Sequence, residues 1–224
     1  MRLVTNQACL AEAALRRRRA GRFAVWGLAI GLWPAGLLGA QNQAARLELS
    51  CGAIARQSTP TALRQTYGAD NLKDVPDPDG RPVALLFPDV PEQRIEIVWA
   101  DAARTTLASF TTWERKSAWR TPQGVKMAQA IADVADLNGR SFILRGFAAP
   151  DAGRVVSWEG GKLEEMDAGS CRVAVWLAPK TDVNFTAAEW KLAEVVADAF
   201  EVASDDRRIK PYSASVSGVG LTWR

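Results

Sequence analysis

Side chains able to carry out acid, base or nucleophilic chemistry are scarce, because the sequence contains no histidine. Its absence excludes Ser-His-Asp and Cys-His catalytic arrangements and histidine metal sites. The remaining candidates are carboxylates. Asp133 and Asp136 are spaced as on one solvated helical face, Glu159 lies near a turn, and Glu164 and Glu165 would point to opposite sides of a strand. We therefore expect no catalytic residue, metal site or cofactor, and predict that the protein is not an enzyme.

Cysteine offers clearer chemistry. Cys9 lies within an N-terminal segment that we expect to be removed, which leaves Cys51 and Cys171. In an oxidising compartment this pair is expected to form a disulfide that closes a loop of about 120 residues. In the chain-entropy description, such a link restrains the unfolded state by about 4 to 5 kcal/mol. Two unpaired buried thiols are the alternative.

Tryptophan is unusually frequent, with nine residues in the chain. Most of those beyond residue 40 fall on segments that we predict to be strands, where tryptophan commonly packs in a core or at a strand edge. The functional alternative is an exposed platform for a partner or for sugar rings. Its candidate members are Trp113, Trp119 and Trp158.

The first 40 residues have the order of a secretory signal peptide. Arginines 16–19 and Arg22 form a basic region, residues 23–40 carry no charge, and the run ends in small residues before Gln41. We predict cleavage near Ala40 and a periplasmic or secreted mature protein. A retained membrane anchor is the alternative, because the uncharged run approaches the roughly 20 residues that span a bilayer. Pro34 and the glycines in this run favour cleavage.

Charge argues against several partners. The whole chain has 28 basic and 25 acidic residues, whereas the part after residue 40 has 22 and 24. A mature protein near neutrality has no general electrostatic reason to bind nucleic acid or an anionic membrane surface. We expect membrane contact only if the signal is not cleaved. The sequence does not indicate an oligomeric state.

Hydrophobic periodicity and turn residues predict the secondary structure. Helices are expected at residues 59–68, 124–139 and 186–202, with a turn-rich loop at 70–82. Gly160 and Gly161 are expected to form a hairpin turn. Strands are expected at residues 45–51, 83–87, 94–99, 107–113, 142–147, 155–158, 171–177 and 216–223. This order indicates an α+β fold of antiparallel sheets with helices on one face.

The two halves of the mature chain resemble one another at a shift of 71 positions. The shift aligns Leu63 with Val134 and brings together two glycines, Gly68 and Gly139, each expected to end a helix. We therefore predict two related helix-plus-meander units. The predicted boundaries are 1–40 for the signal peptide, 41–118 for the first unit, and 119–224 for the second unit with a C-terminal helix and strand.

Residues 124–139 (GVKMAQAIADVADLNG) resemble the helical signature of small outer-membrane-assembly lipoproteins of the SmpA/OmlA type. Tandem copies of a similar unit make up the β-lactamase inhibitor protein. The resemblance implies helices laid on an antiparallel sheet whose free face contacts another protein. Residues 137–142 (LNGRSF) and 158–163 (WEGGKL) also resemble exported bacterial proteins.

These observations lead to two main functional hypotheses and to a third, a purely structural domain in a larger envelope assembly. The first is a periplasmic or secreted protein-binding module whose partner is another envelope protein. The alternative is a cell-wall or carbohydrate-active protein that works through carboxylates and tryptophans.

Overall fold

The computed structural model describes residues 47–149, 151–180 and 186–223. The predicted signal peptide lies outside these ranges. Three helices are described: α1 (Pro60–Tyr67), α2 (Ile131–Asn138) and α3 (Ala187–Ala197). The strands of the same ranges are β1 (Leu72–Val75), β2 (Val83–Leu86), β3 (Ile95–Trp99), β4 (Leu107–Thr112), β5 (Ile143–Leu144), β6 (Val155–Ser157), β7 (Cys171–Ala178), β8 (Val202–Ala203) and β9 (Ser215–Trp223).

Antiparallel pairing joins the strands into two sheets. The larger sheet has six strands in the order β1-β2-β3-β4-β9-β7, and the smaller has three in the order β6-β5-β8. Strands β1 to β4 form a meander in chain order, whereas β9 inserts between β4 and β7. The predicted α+β class with antiparallel sheets is confirmed.

Alternation along β3 shows how the sequence builds the core. Ile95, Ile97 and Trp99 are buried on one face of the sheet, while Glu96 lies on the other face and is partly exposed. Since side chains on neighbouring strands share a face in register, the pairing of Ile97 with Ala84 brings β2 into the same layer. One hydrophobic cluster includes buried residues of both sheets and all three helices.

Helix α1 forms where the sequence predicts it. The Thr59 hydroxyl accepts a hydrogen bond from the Ala62 N–H at 3.3 Å, and Pro60 occupies the first helical position, where its missing N–H has no cost. The helix ends at Gly68, whose N–H donates to the Arg64 carbonyl oxygen at 2.9 Å. Local capping chemistry is sufficient to define both ends.

Helix α2 begins later than predicted, at Ile131 rather than near residue 124. Ala128 has a φ of 60°, which a helix does not allow. The Ala128 N–H donates to the Val216 carbonyl oxygen, and the Val216 N–H donates to the Gln129 carbonyl oxygen, both at 2.8 Å. Pairing with the start of β9 therefore replaces the first helical turns.

Other predicted elements also differ from the structure. In the predicted strand 45–51, the described pairing is a single parallel bridge between Glu48 and Arg120. The predicted loop 70–82 contains β1, whose Leu72 pairs with Leu86 of β2. The predicted hairpin turn at Gly160 and Gly161 instead leads into a 3-10 helix, Lys162–Met166. The bridge at Glu48 and the pairing of β1 depend on partners elsewhere in the chain that local patterns do not report.

The structure does not show two related units. The strands of residues 54–113 are neighbours in one sheet, whereas those of residues 125–177 are divided between two, with β5 and β6 in the small sheet and β7 in the large one. The aligned glycines also differ, because Gly68 has φ 104° and ψ 141° while Gly139 has φ 77° and ψ 4°. The alignment at 71 positions reflects similar hydrophobic spacing without a common strand order.

Gly139 provides a direct test of the end of α2. Its left-handed conformation strains residues that have a Cβ, so Gly139→Val is expected to lower the free energy of unfolding by about 1 to 2 kcal/mol. Urea denaturation followed by circular dichroism measures this change. Gly52→Val is the matched control, because a Cβ there meets open space without a positive φ. Equal effects of the two substitutions would contradict the assignment.

Candidate functional site

The predicted tryptophan platform is wrong for two of its three members. Trp113 is 47% exposed, but Trp119 is fully buried and Trp158 is 6% exposed. The Trp119 Nε1 donates to the Gln93 carbonyl oxygen at 2.7 Å. The Trp158 ring packs against Phe142 with centroids 5.3 Å apart. Both tryptophans therefore belong to the core and do not form an exposed aromatic platform.

Trp113 has a different aromatic neighbour, Trp176 of β7, with ring centroids 4.8 Å apart. The two rings meet across β9, where Gly218 pairs with Trp176. A Cβ on Gly218 would lie 2.2 Å from the Trp113 ring, so only glycine permits this close approach. The Trp113 Nε1 also donates to Glu96 at 3.4 Å. Sequence reasoning missed Trp176, because its contact with Trp113 depends on the β9 register.

Strands β6 and β7 lie at the edges of their sheets, and an isolated antiparallel bridge links Arg154, just before β6, to Trp176 of β7. Antiparallel pairing continued from this bridge would place Val156 opposite Ala174. A cavity of about 630 Å³ lies there instead. Its size falls within the roughly 300 to 1,000 Å³ of ligand sites. We call it the β6–β7 cleft. Its lining comprises residues 155–158 and 172–174 with Arg145, Asp151, Arg154, Glu164 and Asp167.

Three arginines in the β6–β7 cleft form long ion pairs. The nitrogen-to-oxygen distances are 3.4 Å for Arg145 with Glu201, 3.5 Å for Arg154 with Asp151, and 3.4 Å for Arg172 with Asp167. Elsewhere in the described residues, ion pairs such as Arg94 with Glu114 reach 2.7 Å. The Arg154 guanidinium also lies 5.7 Å from the Trp176 ring centroid. The cleft therefore adjoins the Trp113–Trp176 aromatic pair.

Acidic groups of the cleft are engaged by the main chain. The Val173 N–H donates to Asp167 at 2.8 Å, and the Gly160 N–H donates to Glu164 at 2.9 Å. These bonds use carboxylate oxygens to satisfy backbone donors of an edge strand and a turn. The arginines have five N–H donors each and few partners among the described residues. The lining holds three arginines and three carboxylates, and its remaining hydrogen-bonding capacity is the guanidinium N–H donors that these ion pairs do not use.

Carboxyl pKa shifts do not identify a general acid. The Arg208 guanidinium lowers the pKa of Asp206 to about 2, and hydrogen bonds from Thr186 lower the pKa of Glu189, which belongs to the α3 capping box. Glu159, a sequence candidate, accepts a hydrogen bond from the Ser157 hydroxyl at 2.6 Å. These carboxylate contacts do not test the expectation that the protein is not an enzyme. That expectation stays a prediction.

The predicted disulfide between Cys51 and Cys171 is confirmed, with Cα atoms 5.7 Å apart and a separation of 120 residues. It attaches the start of β7, one wall of the cleft, to the beginning of the described chain. A disulfide fits a protein of an oxidising compartment.

Residues 47–149, 151–180 and 186–223 contain neither a membrane-spanning helix nor a cluster of metal ligands. No helix in these ranges is long and apolar enough to cross a bilayer. No three acidic, cysteine or histidine side chains of the same ranges are grouped to hold a metal ion. The resemblance to SmpA/OmlA-type and inhibitor modules stays a prediction, and the candidate site depends on geometry alone. Comparisons with protein-family models, curated proteins and solved structures found no match to this chain.

Proposed function

We propose that this protein is an exported protein-binding module that holds a segment of another envelope protein in the β6–β7 cleft. The observation that carries this proposal is the separation of two edge strands just beyond the Arg154–Trp176 bridge. Edge strands expose backbone donors and acceptors that a second chain can use by adding a strand. The role as an exported module also depends on the predicted signal peptide, and the disulfide supports that location.

The cleft has features suited to a peptide ligand. Its walls combine strand backbone with charged side chains, and Val156 places an apolar side chain that is 39% exposed on β6. Main-chain hydrogen bonds provide affinity in strand addition, while side-chain contacts provide selectivity. A partner segment bound here would contact both sheets.

Photo-cross-linking in intact cells of the source organism tests this proposal. A photoreactive phenylalanine analogue at Val156 is expected to give a protein adduct that mass spectrometry can identify. The matched control is the same analogue at Lys73, an exposed residue of β1 at the opposite edge of the large sheet. Absence of a Val156 adduct, or an identical adduct from Lys73, would count against the cleft.

A second candidate function is glycan binding at the Trp113–Trp176 pair. The exposed ring of Trp113 favours it, because sugar rings stack on exposed aromatic faces. Retention on purified peptidoglycan that depends on Trp113, with no adduct from Val156, would favour this candidate over the first.

A further inference from the structure

The orientation of the β7 backbone determines which groups a partner segment in the β6–β7 cleft would meet. In an extended strand, every second residue presents its N–H and C=O groups to the same side. The Cys171 N–H bonds to Ala168 and the Leu177 N–H bonds to Gly153, both on the side away from β9. Val173 has the same parity and lines the cleft. Its backbone therefore faces the space that a partner strand would occupy.

A carboxylate of the protein itself already occupies this edge. Asp167 accepts the Val173 N–H at 2.8 Å and lies 3.4 Å from the Arg172 Nε. The cleft thus holds a carboxylate against the edge of β7 that faces away from β9. This arrangement shows which chemical group the edge and its arginine recognise.

The neighbouring arginines have capacity for further carboxylates. In the described residues, the Arg154 guanidinium makes one hydrogen bond, at 3.5 Å to Asp151. Both guanidiniums that flank the edge are partly exposed, with side-chain exposures of 32% for Arg154 and 41% for Arg172. A guanidinium binds a carboxylate through two parallel N–H bonds when both are free. Acidic side chains on an added segment would replace these long contacts with short ones.

We propose that the segment bound in the β6–β7 cleft is an extended acidic peptide, whose carboxylates pair with Arg154 and Arg172. This inference rests on the proposed protein-binding function and specifies its ligand. Alternating acidic and apolar residues suit the cleft, since alternate side chains of a strand point to opposite sides. The acidic side chains then meet the arginines.

Peptide binding to the purified exported protein tests the inference. The probe is a seven-residue peptide of alternating valine and glutamate, and the control peptide has glutamine in place of glutamate. We expect the glutamate peptide to bind at least about tenfold more tightly, as hydrogen bonds to charged groups imply. Isothermal titration calorimetry at low and high salt measures both affinities, and the difference should shrink as salt rises.

Variants separate recognition from structural effects. Arg154→Gln and Arg172→Gln are each expected to weaken the glutamate peptide about tenfold while leaving the glutamine peptide within about twofold. Arg81→Gln is the matched control, because Arg81 pairs with Asp77 away from the cleft. Equal binding of the two peptides, or an equal loss in Arg81→Gln, would overturn the acidic ligand. A protein adduct from Val156 alongside that result would leave the proposed function standing.

Discussion

Replacing both Cys51 and Cys171 by alanine is expected to lower the free energy of unfolding by about 4 kcal/mol. The disulfide closes a loop of 120 residues. Without the disulfide, the unfolded chain has more conformational entropy, which stabilises the unfolded state relative to the folded one. Urea denaturation at neutral pH, followed by circular dichroism, measures the change as a lower midpoint, and the slope should not decrease because the unlinked denatured state exposes more surface.

Reduction provides the control for this experiment. The wild-type protein in excess dithiothreitol should unfold at the same urea concentration as the double alanine variant, because both lack the covalent link. The double variant itself should not respond to dithiothreitol. A loss below about 1 kcal/mol in the double variant would mean that the unfolded state is restrained by other means.

The disulfide illustrates what the sequence could predict. With the predicted signal peptide set aside, two cysteines remain and leave one intramolecular pairing, so predicting the Cys51–Cys171 disulfide required no knowledge of the fold. Strands β2, β3, β4, β7 and β9 were likewise predictable, since each contains apolar residues that the structure buries. Local capping by Thr59 and Gly68 was sufficient for α1.

Elements that depend on distant pairing could not be predicted. The first turns of the expected helix 124–139 are lost to hydrogen bonds with Val216, which lies in the last strand of the chain. The insertion of β9 between β4 and β7 similarly breaks the expected repeat. Hydrophobic spacing cannot predict these strand partners. It indicates which face of an element is apolar, but it does not indicate which strand packs against that face.

The cleft was outside the reach of sequence reasoning for the same reason. Arg145, Arg154 and Arg172 belong to different segments, and ordinary surface arginines show the same local pattern. They come together because β6 and β7 meet at one bridge and then separate. The bridge between Arg154 and Trp176 is the observation that would have located the cleft. It depends on the register of β7, which the sequence does not show.

Trp119→Ala is expected to lower the free energy of unfolding by about 3 to 5 kcal/mol. The ring is fully buried and makes edge contacts with Phe110 and Tyr67, at centroid distances of 5.5 and 6.3 Å. Truncation would create a cavity and leave the Gln93 carbonyl oxygen without its 2.7 Å hydrogen bond. Both effects destabilise the folded state, and chemical denaturation measures their sum.

Two further variants divide this effect between packing and hydrogen bonding. Trp119→Phe retains much of the ring contact but lacks the N–H donor, so it should lose about 1 to 3 kcal/mol. Trp113→Ala should lose only about 1 kcal/mol, because that ring is 47% exposed and its main contribution is the pair with Trp176. An equal loss of unfolding free energy in Trp113→Ala and Trp119→Ala would contradict this prediction, because a ring that is 47% exposed should contribute less packing than a buried one.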